Sequence, residues 1–160
     1  MKSFRSIIRF TKRVRNRLSS YYNLLRLKMY GVEHGCHCVI HGKLYLTLFP
    51  TANVKIGNNL YFSSGWGINA LCINKRGMIY ATEHASIEIG DNVGMSSTVL
   101  WAHNKIVIGN YVKIGGNCIL IDTDAHNADF SIRRGQYTDW GVSAPIVIGD
   151  DVLLEQIVLF

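Results

Sequence analysis

From Val54 onward, apolar side chains recur in pairs two residues apart, and the pairs repeat about every six residues, a spacing that no helix produces. Ile56-Gly57, Phe62-Ser63 and Ile68-Asn69 share one register. Ile89-Gly90, Met95-Ser96 and Trp101-Ala102 share a second. Ile108-Gly109, Ile114-Gly115 and Leu120-Ile121 follow after a one-residue slip, and Ile148-Gly149 and Leu154-Glu155 reopen the pattern. Two residues before these anchors stand Val54, Leu60 and Trp66, then Ile87, Val93 and Val99, then Ile106, Val112 and Cys118, then Ile146 and Val152. Alternate residues of a short strand point the same way, so both members of each pair fill a narrow core. The next position turns a corner, which favours Gly or Asn because they tolerate positive φ. Three such units close a triangular coil of about 18 residues, and stacked coils share one core. A sandwich or barrel needs longer strands and does not hold this register. The chain therefore reads as an all-β solenoid.

Upstream the period changes. Phe4, Ile7, Thr11, Val14, Leu18, Tyr21 and Leu25 alternate in steps of three and four, which predicts an amphipathic α-helix over residues 1–30 ahead of a repeat domain at 31–160. Two roles fit it: lying on an anionic membrane surface through residues 1–28, or packing its apolar face over the end of the solenoid.

Charge sharpens the division. Nine of the 17 basic residues lie in the first 28 positions, where there is no acid. The other 132 residues carry 8 bases against 11 acids. The body adds no basic patch, so nucleic acid is not an expected partner. No stretch of about 18 apolar residues exists, so no membrane-crossing helix is expected. Cys36, Cys38, Cys72 and Cys118 are too few and scattered for a disulfide scaffold. The expected setting is the cytoplasm, at the inner face of the membrane if the helix takes the first of its two roles.

Two segments carry a family likeness: residues 112–126 (Val-Lys-Ile-Gly-Gly-Asn-Cys-Ile-Leu-Ile-Asp-Thr-Asp-Ala-His) and residues 144–151 (Ala-Pro-Ile-Val-Ile-Gly-Asp-Asp). They resemble the hexapeptide-repeat acyltransferases, and most closely the sugar O-acetyltransferases of bacterial capsule and exopolysaccharide synthesis. The resemblance implies a left-handed parallel β-helix, acetyl-CoA as acyl donor, a sugar or polysaccharide precursor as acceptor, and a homotrimer with sites between subunits. Handedness comes from the resemblance alone, because right-handed crossovers are the general rule.

The repeat breaks between Thr123 and Ala144, and a loop at 124–143 interrupting a solenoid is a natural place for function. The resemblance makes His126 the general base for the acceptor hydroxyl; imidazole suits the role because it titrates near neutrality. Asp124 and Asp122 are the candidate carboxylates to orient it. Ser97 falls near a substrate-contacting position of the family, where a turn serine is the competing reading. Trp101, at an anchor position, is either core or a wall of the acceptor site. Arg133 and Trp140 are further candidates for substrate contact, and Arg134 stands beside Arg133.

Metal is not expected. His34, Cys36, His37, Cys38 and His41 lie in one short segment without a second ligand pair. His84, His103 and His126 could stack on one edge, as in zinc enzymes of the γ-carbonic anhydrase type, but the close histidine pair of that type is missing. Cys118 occupies an inward position and reads as inert core. A β-helical protein without catalysis is the alternative to the transferase. At the C-terminus, Leu153 and Glu155 stand where the resembling family has Trp and Gly. The expectation from the apolar, uncapped ending is a truncated product with weak acetyl-CoA binding.

Overall fold

The computed structural model describes residues 2–65, 67–72, 75–135 and 141–155. A long helix, α1 (Lys2–Met29), leads into a stack of short parallel strands. The first coil comprises β1 (Glu33–His34), β2 (Val39–Gly42) and β3 (Tyr45–Leu48). The second comprises β4 (Asn53–Ile56), β5 (Tyr61–Ser64) and β6 (Met78–Ala81), and the third β7 (Ser86–Ile89), β8 (Gly94–Ser96) and β9 (Val99–Ala102). The fourth holds β10 (Lys105–Ile108), β11 (Lys113–Gly116) and β12 (Ile119–Ile121). After a short helix, α2 (Phe130–Arg133), β13 (Ile146–Ile148) and β14 (Leu153–Leu154) open a fifth.

Every third strand pairs with its counterpart in the next coil, always in parallel. This gives three sheets: β1-β4-β7-β10-β13, β2-β5-β8-β11-β14 and β3-β6-β9-β12. The molecule is a three-sided parallel β-helix. Its core is the stacked inward residues: Val54, Ile87 and Ile106 on the first face, Ile40, Phe62, Met95 and Ile114 on the second, and Leu46, Ile79 and Leu100 on the third. Each fully buried aliphatic or aromatic side chain contributes about 1.5–3 kcal/mol.

Coil lengths differ, and two inserts explain the longest. Stacked corner residues are 22, 33, 19 and 40 positions apart through the chain. The 40-residue offset holds the predicted loop before β13. The 33-residue offset reveals a second insert, residues 65–77, which the repeat pattern conceals. Ile68 therefore lies in that loop rather than on a third strand, and Ile79 and Ala81 of β6 take the inward places. Trp66, predicted to share that register, lies outside the described residues. Trp101 also departs from the strict six. Leu100 and Ala102 are the buried residues of β9, so Trp101 points outward.

The corners work differently from the simple glycine reading. Left-handed backbone falls on Asn59, Asn92, Tyr111 and Asp151, two residues after each Ile-Gly glycine. The glycines serve close stacking instead: a Cβ on Gly90 would lie 2.7 Å from the Gly109 carbonyl oxygen. One residue on, an amide and carboxylate ladder climbs the same corner. Asn58 Oδ1 accepts from Cys36 N, Asp91 Oδ1 from Asn58 N, Asn110 Oδ1 from Asp91 N, and Asp150 Oδ1 from Asn110 N, at 2.6–2.9 Å.

α1 covers the open edge of the first coil with its polar side. Asn23 Nδ2 donates to the carbonyls of Ile40 (3.0 Å) and Gly42 (2.7 Å). Ser20 Oγ and Ser19 Oγ accept from the N–H groups of Ile40 and Gly42. Arg26 donates to the Leu44 and Leu46 carbonyls. These bonds satisfy an edge that would otherwise invite pairing with another chain. Leu27, on the same side of the helix, is fully buried in the core, and Leu24 packs against it in part. The predicted apolar stripe does not take part: Phe4, Ile7, Val14, Leu18, Tyr21 and Leu25 are all exposed, Tyr21 at 74%. The helix thus does cap the solenoid, but not with the predicted stripe: Ser19, Ser20, Asn23 and Arg26 hold the edge, with Leu24 and Leu27 packing beside them. No helix among the described residues is long and apolar enough to cross a membrane.

Candidate active site

β12 ends at Ile121, paired with Trp101 of β9, and the chain leaves the solenoid there. Thr123 and Ser143 form an antiparallel bridge that closes the neck of the loop. Asp124 N donates to the Val142 carbonyl at 3.1 Å, and Ala144 N to the Asp122 carbonyl at 3.0 Å. A Cβ on Gly141 would lie 2.7 Å from Asp124 Cβ, so glycine lets the returning strand pass close to the departing one. Ala125, in left-handed backbone at φ 60°, turns the chain so that His126 N donates to the Asp124 carbonyl at 2.6 Å.

His126 is exposed at this neck, as is Asp124. The carboxylate of Asp124 has no hydrogen-bond partner among the described residues, so it is free to meet an incoming group. Asp122 is different. It is buried at 4% exposure, and its two oxygens accept the main-chain N–H groups of His103 (2.6 Å) and Asn104 (2.9 Å). Among the described residues it makes no bond to the His126 ring. The side chain pins the corner between the third and fourth coils, a role that the spacing of Asp122 from His103 and Asn104, about one coil, signals in the sequence.

The outer surface of the β3-β6-β9-β12 sheet leads up to this neck and is strongly apolar. Trp101 packs on Tyr80 with ring centroids 5.0 Å apart, and Tyr80 meets Phe49 edge-on at 6.1 Å. Trp101 Nε1 is buried and has no partner among the described residues. Tyr45, Ile119 and Ile121 extend the surface. His103 Nδ1 lies 3.0 Å from Thr82 Oγ1 at the same corner, and sequence reasoning gave it only a metal-site role.

The remaining candidates scatter. Ser97 is fully buried at φ 44°, and its Oγ accepts from Gly65 N at 2.8 Å, so it holds the 65–77 loop. Arg133 is turned back on its own loop, donating to the Asn127 and Ala128 carbonyls at 2.6 and 2.7 Å. Asp129 caps α2, accepting from Ser131, and these bonds hold its carboxyl below the usual range. Arg134 stacks over Phe130 at 5.0 Å. Trp140 lies outside the described residues.

No group of three or more His, Cys, Asp or Glu side chains is placed to hold a metal ion among the described residues. Burial pushes the Cys38 and Cys118 thiols up, away from the reactive thiolate. Comparison with protein-family models, curated proteins and solved structures returns no match, so the functional reading rests on the fold and on these side chains.

Proposed function

We propose that the chain is an acyltransferase of the hexapeptide-repeat kind, with the left-handed coil of that family, moving acetyl from acetyl-CoA to a sugar or polysaccharide hydroxyl. The observation that carries this reading is the exposed His126 at the neck of a loop inserted in a three-sided parallel β-helix. In the reaction, imidazole takes the hydroxyl proton as the oxygen attacks the thioester carbonyl. The tetrahedral adduct then collapses, the C–S bond breaks, and the imidazolium proton goes to the leaving thiolate. The products are the O-acetyl sugar and free CoA thiol. In this reading Asp124 is the carboxylate that stabilises the imidazolium, since Asp122 is occupied by the backbone.

A homotrimer belongs to this reading. The apolar outer surface around Tyr80 and Trp101 supports packing against another copy, which would bring its neighbour's coils to the His126 loop. The exposed apolar stripe of α1, flanked by bases alone, supports attachment to the anionic inner face of the cytoplasmic membrane.

Thiol release from acetyl-CoA with a panel of sugars tests the assignment. The expected result is acceptor-dependent release that His126→Ala lowers by about 10²–10⁴-fold with unchanged melting. No release with any acceptor would favour a non-catalytic β-helix, and a fully active variant would remove His126 from the chemistry.

A further inference from the structure

Between α1, the β2–β3 corner and the 65–77 loop lies a cleft of two lobes. The larger, about 480 Å³, is lined by Arg15, Lys43, Lys75 and Arg76 beside Ser64 and glycine backbone. The smaller, about 330 Å³, shares Arg15, Lys43 and Ile68 and adds Ser19 and Tyr22. No carboxylate lines either lobe among the described residues. Arg15 Nη2 donates to the Gly67 carbonyl at 2.9 Å, which ties the helix to the loop across the cleft. The side chains of Lys43, Lys75 and Arg76 have no ion pair or hydrogen bond among the described residues; the Lys43 carbonyl accepts from Ser64 Oγ at 2.7 Å.

Three of these four cations belong to the body, which corrects the expectation that it adds no basic patch to the arm. Gathered around one space, the four repel one another, and a bound anion would relieve that repulsion. Both volumes fall in the range of small-molecule sites. Arg and Lys together are the usual recognition set for phosphoryl oxygens. A phosphate alone would leave the Tyr22–Ile68 lobe unused. A phosphate joined to hydrocarbon would fill both.

The helix places this cleft where such a molecule would be met. Arg15, Ser19 and Tyr22 follow i, i+4, i+7 spacing, so they share one face of α1. That face lies about a quarter turn from the exposed Leu18–Tyr21–Leu25 stripe.

We propose that this cleft binds the headgroup of a phosphate- or diphosphate-bearing lipid. The phosphoryl oxygens lie on Arg15, Lys43, Lys75 and Arg76, and the first carbons of the chain lie against Tyr22 and Ile68. The inference rests on the reading of α1 as a membrane-surface helix and is independent of acyl transfer.

Calorimetric titration of the full chain, without vesicles, uses geranyl diphosphate and inorganic pyrophosphate as probes. Geranyl diphosphate is expected to bind about tenfold or more tighter than pyrophosphate. Lys43→Gln with Arg76→Gln should weaken both by about tenfold or more, and Ile68→Ala should weaken geranyl diphosphate alone. Circular dichroism checks that each variant is folded. Lys75→Gln, a change in the loop, replaces the double variant if that one unfolds. Equal affinities would make the cleft a site for soluble phosphate and overturn the lipid assignment. So would the absence of saturable binding, or binding indifferent to the substitutions. A parallel flotation with phosphatidylcholine vesicles, with and without phosphatidic acid, separates the two readings. Geranyl diphosphate binding without flotation strikes the membrane role of α1 and leaves the cleft standing. Flotation without geranyl diphosphate binding strikes the cleft.

Discussion

The carboxylate of Asp122 accepts the main-chain N–H of His103 at 2.6 Å while its other oxygen accepts that of Asn104, so one buried side chain staples two coils. Both bonds are charge-assisted, and removing the acceptor leaves buried donors unpaired. Asp122→Ala is therefore expected to cost about 2–4 kcal/mol in urea unfolding, with Asp122→Asn costing less because one oxygen acceptor survives. A variant that keeps full stability but loses acetyl transfer would show instead that Asp122 serves the reaction.

The corner glycines yield a contrast within one residue type. A Cβ at Gly90 meets the Gly109 carbonyl, and one at Gly109 meets the Gly149 carbonyl carbon at 2.7 Å. At Gly67, by contrast, a Cβ meets nothing within 4 Å among the described residues. Gly90→Ala and Gly109→Ala should each destabilise by about 1–3 kcal/mol through overpacking against rigid backbone. Gly67→Ala should leave the melting temperature within about 1 °C of wild type. Equal effects at all three positions would refute the stacking argument.

The residues differ in how much of this was readable beforehand. Ile56, Ile89 and Ile108 announce their inward places because the Ile-Gly pair repeats where coil faces must repeat. Ile68 and Trp101 misled for one reason: six-residue counting assumes that no residue is added at a corner. The 65–77 insert and the longer turn before β9 add them without breaking the apolar rhythm. The capping face of α1 was hidden because Ser19, Ser20, Asn23 and Arg26 are polar, and helical periodicity asks only about apolar residues. Their partners are strand carbonyls and amides, which have no letter in the sequence. That His126 and Asp124 lie on the inserted loop was legible from the break in the repeat, whereas the engagement of Asp122 shows in the sequence only as its distance of about one coil from His103 and Asn104.

His41 supplies a pH dependence. Its ring packs edge-on against Tyr61 at 5.5 Å, and burial holds its pKa below the ordinary 6.5. The unfolded chain thus takes up the proton more readily than the folded one. Stability is complete above about pH 6.5, falls as pH drops through that value, and levels off once the folded pKa is passed. His41→Gln should flatten this part of the profile of urea midpoints between pH 5 and 8. A wild-type profile that rises on acidification across the same window would contradict the placement.

The stripe on α1 tests the membrane reading apart from the fold. Leu18 (64% exposed) and Tyr21 contact little of the body, while Asn23 on the opposite side holds the β2 edge. Leu18→Glu with Tyr21→Glu removes two side chains that would enter the interface, each contributing about 1.5–3 kcal/mol when buried. Partitioning onto phosphatidylglycerol vesicles should fall by about 10²-fold or more, with the melting temperature unchanged. Asn23→Ala should do the reverse, lowering stability by about 1–3 kcal/mol while the folded fraction still binds vesicles. Raising salt should weaken wild-type binding without abolishing it, because the arginines are screened and the apolar stripe is not. If the charged double variant binds as tightly as wild type, the bases alone hold the surface and the stripe has another partner.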